Sequence, residues 1–89
     1  MTTYAIEHTD TFSGEPNYSW VRRFTVEAYT RLELIRRVKK QCGLAGLRCD
    51  VYDSGEDIEI RPSHVSEVVF ITEKEEEVLL RTKNSDLPG

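Results

Sequence analysis

Proline, glycine, cysteine and histidine are scarce in this chain of 89 residues (three, five, two and two), and there is one tryptophan. Each scarcity excludes something. Cys42 and Cys49 stand seven positions apart with no histidine pair beside them, so they do not supply the four ligands of a structural zinc site. The glycines Gly43, Gly46 and Gly55 lack the spacing of a loop that cradles phosphate. No apolar run approaches the roughly 18 residues that cross a bilayer. Met1–Glu7 has neither a basic start nor an apolar stretch, so a secretion signal is not expected, and reduced thiols in a cytoplasmic setting are. The length suits one small domain and is too short for a doubly wound nucleotide-binding fold or an α/β barrel.

Catalytic sets are equally sparse. His8 and His64 are far apart in sequence. The only local hints of a nucleophile or base are Ser63-His64 and His8 with Asp10. Ser63 and His64 are adjacent and would face opposite ways on a strand, which does not suit them to nucleophile–base chemistry, and His8 reads as a partly buried strand residue. The turn Asp53-Ser54-Gly55-Glu56-Asp57 lacks the alternating ligands and distal glutamate of a calcium loop. No catalytic residue, metal or cofactor is expected.

Charge is abundant and unevenly placed. The formal net charge is -4. Residues 1–44 hold seven basic and five acidic residues, whereas residues 45–89 hold five basic and eleven acidic ones. Phosphate contacts need cations, so this balance disfavours general nucleic-acid binding. The acidic half suits a basic protein surface, or serves only solubility. Asp50, Asp53, Glu56, Asp57 and Glu59 are its densest group. The contrary case rests on Arg36, Arg37, Lys39 and Lys40 on one helix, with Arg22 and Arg23 beside Tyr18 and Trp20. Those cations could track phosphates; they also suit the outer face and C-terminal dipole of a docked helix.

The hydropathy pattern predicts β-β-α-β-β-β. Residues 3–9 and 19–28 alternate with period two. Between them, Asp10–Tyr18 contains Gly14, Pro16 and Asn17 and reads as a long loop. Phe12, Tyr18 and Trp20 sit around that loop as candidate binding anchors, or close one end of the core. Thr30 with Glu33 has capping-box spacing, Tyr29 with Leu34 has staple spacing, and Gly43 supplies a stop. Leu34, Ile35, Val38 and Cys42 form the apolar stripe of the helix. Period two returns at Leu47, Cys49 and Val51, turns at Gly55, and continues through Ile58 and Ile60 to Pro62. Val68–Ile71 is apolar on both sides, as in a central strand or one that meets a partner. Val78–Leu80 fits either a strand or a helical turn.

The expected architecture is a two-layer α+β domain over residues 1–83: an antiparallel sheet of about five strands packed by one amphipathic helix, with a flexible tail at 84–89. Trp20, Phe24, Val26, Cys49, Val51, Ile58 and Ile60 are the expected sheet partners of the helix.

The stretch Asp10-Thr11-Phe12-Ser13-Gly14-Glu15-Pro16-Asn17-Tyr18-Ser19-Trp20-Val21-Arg22-Arg23 resembles a segment of small uncharacterised accessory proteins of phages, prophages and plasmids, and the region from Arg61-Pro62-Ser63 to Phe70-Ile71-Thr72 does so more loosely. That resemblance implies a mobile-element setting and stoichiometric binding to a host protein, for example inhibition of a CRISPR or restriction system. The expected function is therefore non-catalytic protein binding through Asp50, Asp53, Glu56, Asp57 and Glu59, with Phe12, Tyr18 and Trp20. The alternative is a nucleic-acid-binding module using Arg22, Arg23, Arg36, Arg37, Lys39 and Lys40. A homodimer is compatible with either.

Overall fold

The computed structural model describes residues 1–74. Val78–Leu80, the rest of the expected domain beyond residue 74 and the tail at 84–89 lie outside the described residues. Alternating side chains build two long strands, β1 (Thr2–Phe12) and β2 (Glu15–Ala28). A helix, α1 (Arg31–Gln41), follows, and then β3 (Cys49–Asp53), β4 (Asp57–Pro62) and β5 (Glu67–Glu73). All pairings are antiparallel, and the strand order is β2-β1-β5-β4-β3. Among the described residues the fold is α+β, with a five-stranded sheet and one helix.

Local chemistry explains both ends of α1. The Thr30 hydroxyl accepts the Glu33 amide at 3.1 Å. The Glu33 carboxylate reaches back one residue beyond the cap and accepts the Tyr29 amide at 2.8 Å. That bond holds the Glu33 carboxyl below its ordinary pKa. The expected staple does not form, because Tyr29 is 73% exposed. At the far end Gly43 has φ 74°. Leu44 N–H donates to the Lys39 carbonyl and Gly43 N–H to that of Lys40. Those two bonds are the Schellman pattern, which turns the buried Leu44 back into the core.

Leu34 and Val38 face the sheet and are fully buried. They pack with Ile6, Val26, Ile58, Ile60, Val69 and Ile71, with Tyr4, Phe24, Ile35 and Cys49 partly buried around them. Two expected core residues lie elsewhere: Trp20 is 39% exposed and Val51 41%. Among the described residues β3 is an edge strand, so Val51 gains cover there from one neighbouring strand. β5 sits third in the sheet, which accounts for its run of apolar residues. Val69 and Ile71 face the helix, while Val68 and Phe70 face the other way.

The largest departure is the β1–β2 connection. The expected nine-residue loop is a two-residue turn, Ser13-Gly14, with strand on both sides. Both residues have positive φ, 54° and 84°, as a type I′ turn demands. The register steps between Thr9↔Val21 and Thr11↔Pro16, so β2 bulges opposite Asp10. Tyr18 takes φ 56° inside that bulge. The Asp10 carboxylate holds the bulge by accepting the Ser19 hydroxyl (2.6 Å), the Ser19 amide (2.9 Å) and the Asn17 side-chain amide (2.9 Å). These bonds, the Ser19 hydroxyl first, hold the Asp10 carboxyl far below its ordinary pKa. The Gly, Pro and Asn that read as a loop are thus bulge and turn residues within continuous strands.

Candidate functional site

Direct cross-strand partners share a face of a sheet, so the register defines the two surfaces. The face opposite α1 carries no second layer among the described residues. Across it runs one row, Arg23–Glu7–Phe70–Glu59–Tyr52, from the β2 edge to the β3 edge. The adjacent row is Thr25–Ala5–Thr72–Asp57. Phe70 is half-buried at the centre and Tyr52 is 56% exposed. A shallow hollow between them is lined by Tyr52, Asp57, Glu59, Phe70 and Thr72. A second, toward β2, shares Phe70 and Thr72 and adds Glu7, Arg23 and Lys74.

Ion pairs divide this surface. Near β2, Glu7 accepts Arg23 at 2.9 Å and the Tyr18 hydroxyl at 3.0 Å. The Glu7 contact also pushes the Tyr18 hydroxyl above its ordinary pKa. Near β4, Arg61 bonds Glu59 and also donates to the Gly14 carbonyl at 2.8 Å. The hairpin tip is thereby held over the β4 side of the open face. Asp50 and Asp57 carboxylates make no ion pair among the described residues. Acid outnumbers base at the β3–β4 end, where Asp50, Asp57 and Glu59 share the face with Arg61, beside Tyr52 and Phe70.

The five acidic candidates do not form one cluster. Asp50, Asp57 and Glu59 lie on the open face, opposite the helix. Asp53 pairs with Ile58 and turns to the helix side, where its carboxylate lies 3.4 Å from the Arg31 guanidinium and accepts the Gly55 amide. Glu56 is exposed in the β3–β4 turn. Phe70 was not among the candidates: only the register shows that it faces Glu7 on one side and Glu59 on the other.

The three aromatic candidates also separate. Phe12 stands at the hairpin tip and is 73% exposed. Tyr18 joins the Glu7–Arg23 pair on the open face. Trp20 lies edge-on to His8, with ring centroids 4.9 Å apart and planes at 86°. His8 is buried, its Nε2 lies 2.8 Å from Glu67 Oε1, and its Nδ1 meets no partner among the described residues. Cys42 is in the core, where burial pushes its thiol up to about 11.

The basic candidates are mostly engaged. Arg22 lies over the Phe24 ring at 5.5 Å and donates to the Gln41 carbonyl. Arg23 lies on the opposite face and pairs with Glu7, so Arg22 and Arg23 do not form one patch with Tyr18 and Trp20. Arg37 pairs with Glu33 at 2.9 Å, and Lys39 donates to the Leu47 carbonyl at 3.0 Å. Arg36 and Lys40 remain on the outer surface of α1 with no such contact among the described residues. Compared with protein-family models, with curated proteins and with solved structures, the chain matches none.

Proposed function

We propose that this protein is a non-catalytic binding module whose open sheet face receives a basic protein surface at its β3–β4–β5 end. The observation that carries this reading is the gathering of Asp50, Tyr52, Asp57, Glu59 and Phe70 on one face. Aromatic centres with a charged rim are the composition of protein interfaces. Acid left uncompensated there favours encounter with cations. Engagement of Arg22, Arg23, Arg37 and Lys39 within the fold weighs against the nucleic-acid reading. The Glu67 contact at His8 Nε2, with Trp20 edge-on to the imidazole, weighs against His8 as a general base. The resemblance of residues 10–23 supports stoichiometric action on a host protein as the setting.

The test is affinity capture of the tagged full chain from a cell lysate treated with nuclease, with mass spectrometry of the eluate. A stoichiometric basic protein that survives nuclease supports the proposal. Loss of every partner on nuclease treatment contradicts it and favours Arg36 and Lys40 on nucleic acid.

A further inference from the structure

β2 ends the sheet on the side away from the acidic patch, and its outer edge pairs with no strand among the described residues. The hydrogen-bond phase of that edge can be read from β1. Lys74 N–H donates to the Thr3 carbonyl at 3.0 Å and Thr11 N–H to the Ser66 carbonyl at 2.9 Å. Odd-numbered residues of β1 therefore turn their peptide groups toward β5, and even-numbered ones toward β2. Tyr4 pairs with Val26 and Ile6 with Phe24, so the even-numbered residues of β2 are bonded to β1. Arg23, Thr25 and Glu27 are left pointing N–H and C=O outward, and all three are exposed.

Natural edge strands are usually blunted by a proline, a bulge or a charge. Pro16 and the bulge opposite Asp10 occupy only the hairpin half of β2. The half from Val21 to Ala28 pairs with β1 without a break, and its charges are arranged for self-pairing. We infer that this edge binds a second copy of the chain, β2 against β2 in antiparallel register, with a two-fold axis at Thr25.

That axis sets Thr25 opposite Thr25 of the second copy and Arg23, which also holds Glu7 within its own protomer, opposite Glu27 of that copy, twice over. The peptide groups then meet as narrow pairs, giving about six backbone hydrogen bonds between residues 23 and 27. On the helix side Phe24 falls opposite Val26. An axis at Arg23 or at Glu27 sets like charges against each other, and an axis at Phe24 or Val26 opposes neither to its counter-ion. Charge thus selects one register among those the backbone allows. Arg37, Lys40 and Gln41 of α1 border the same edge. Arg37 already holds Glu33, so Lys40 is the like charge that two copies bring toward each other. The axis stands perpendicular to the sheet, so the two acidic patches lie at opposite ends of one continuous sheet. This inference does not rest on the function proposed above.

Sedimentation equilibrium of the full chain tests it, with circular dichroism to verify folding of each variant. The wild type should show a concentration-dependent dimer. Arg23→Glu places acid against Glu27, and Glu27→Arg places base against Arg23, so each variant alone should dissociate about tenfold more readily or worse. An equimolar mixture of the two should recover the dimer, because both cross-strand pairs are then opposite in sign. A wild type that stays a single protomer at about 1 mM, single variants that dimerise as the wild type does, or a mixture that fails to associate each overturn the proposal.

Discussion

Arg61 on β4 donates a 2.8 Å hydrogen bond to the carbonyl of Gly14, 47 positions earlier in the chain, and so ties the β1–β2 hairpin tip to the far side of the sheet. The turn it holds has φ 54° at Ser13, a conformation L-residues disfavour but asparagine tolerates. Ser13→Asn should therefore raise stability by a few tenths of a kcal/mol, to about 1 kcal/mol. Arg61→Ala should leave the core intact and speed amide exchange at Thr11, Phe12 and Glu15. Urea unfolding and hydrogen exchange read the two effects separately.

Asp10 gives the fold an acid-sensitive element. Its folded carboxyl lies far below the ordinary value because it accepts from Ser19 and Asn17. The unfolded residue titrates near about 3.9. Between those two values the unfolded chain binds more protons, so stability rises with pH. The contribution is complete above the unfolded value and is lost as pH falls through the folded one. Asp10→Asn should flatten urea midpoints between about pH 2 and 5 relative to the wild type. Parallel curves for the two proteins would assign the bulge to other contacts.

Among the described residues, Glu67 is the one hydrogen-bonding partner of the buried His8 side chain, and Nδ1 has none. Glu67→Ala leaves both ring nitrogens without a partner and should cost about 1–3 kcal/mol. His8→Leu combined with Glu67→Leu removes the polar pair together and should recover most of that loss. Chemical denaturation of the two variants makes the comparison.

Cys42 and Cys49 should differ in reactivity toward an aromatic disulfide reagent. Burial raises the Cys42 thiol and shields it, whereas Cys49 is partly exposed. One thiol should react promptly in the native protein and the second only on unfolding. Mass mapping that finds Cys42 labelled first would contradict the packing of the α1 C-terminus.

What the sequence made legible was what short segments decide. Thr30 and Gly43 announced the ends of α1 because capping and left-handed backbone depend on neighbours a few residues away. The alternation around Ile58 and Ile60 already set Asp57 and Glu59 on the opposite face. The same parity places Asp53 with Val51, on the helix side, where Arg31 draws it. The hairpin reads as a loop because Gly14, Pro16 and Asn17 have loop chemistry, while Asp10, which lets strand continue past them, acts across the ladder. Insertion of β5 between β1 and β4 depends on pairings far apart in sequence, and with it the row Glu7–Phe70–Glu59. Phe70 as the centre of the face follows from that row alone.

We propose that the open face, not the helix, meets the partner. The most direct test is the dissociation constant of the captured partner against three forms of the full chain: wild type, Asp57→Lys/Glu59→Lys and Arg36→Glu/Lys40→Glu. Reversal on the sheet should weaken binding by about tenfold or more, while reversal on the helix should leave it within about twofold. Binding that survives the sheet variant and is lost in the helix variant would contradict the proposal.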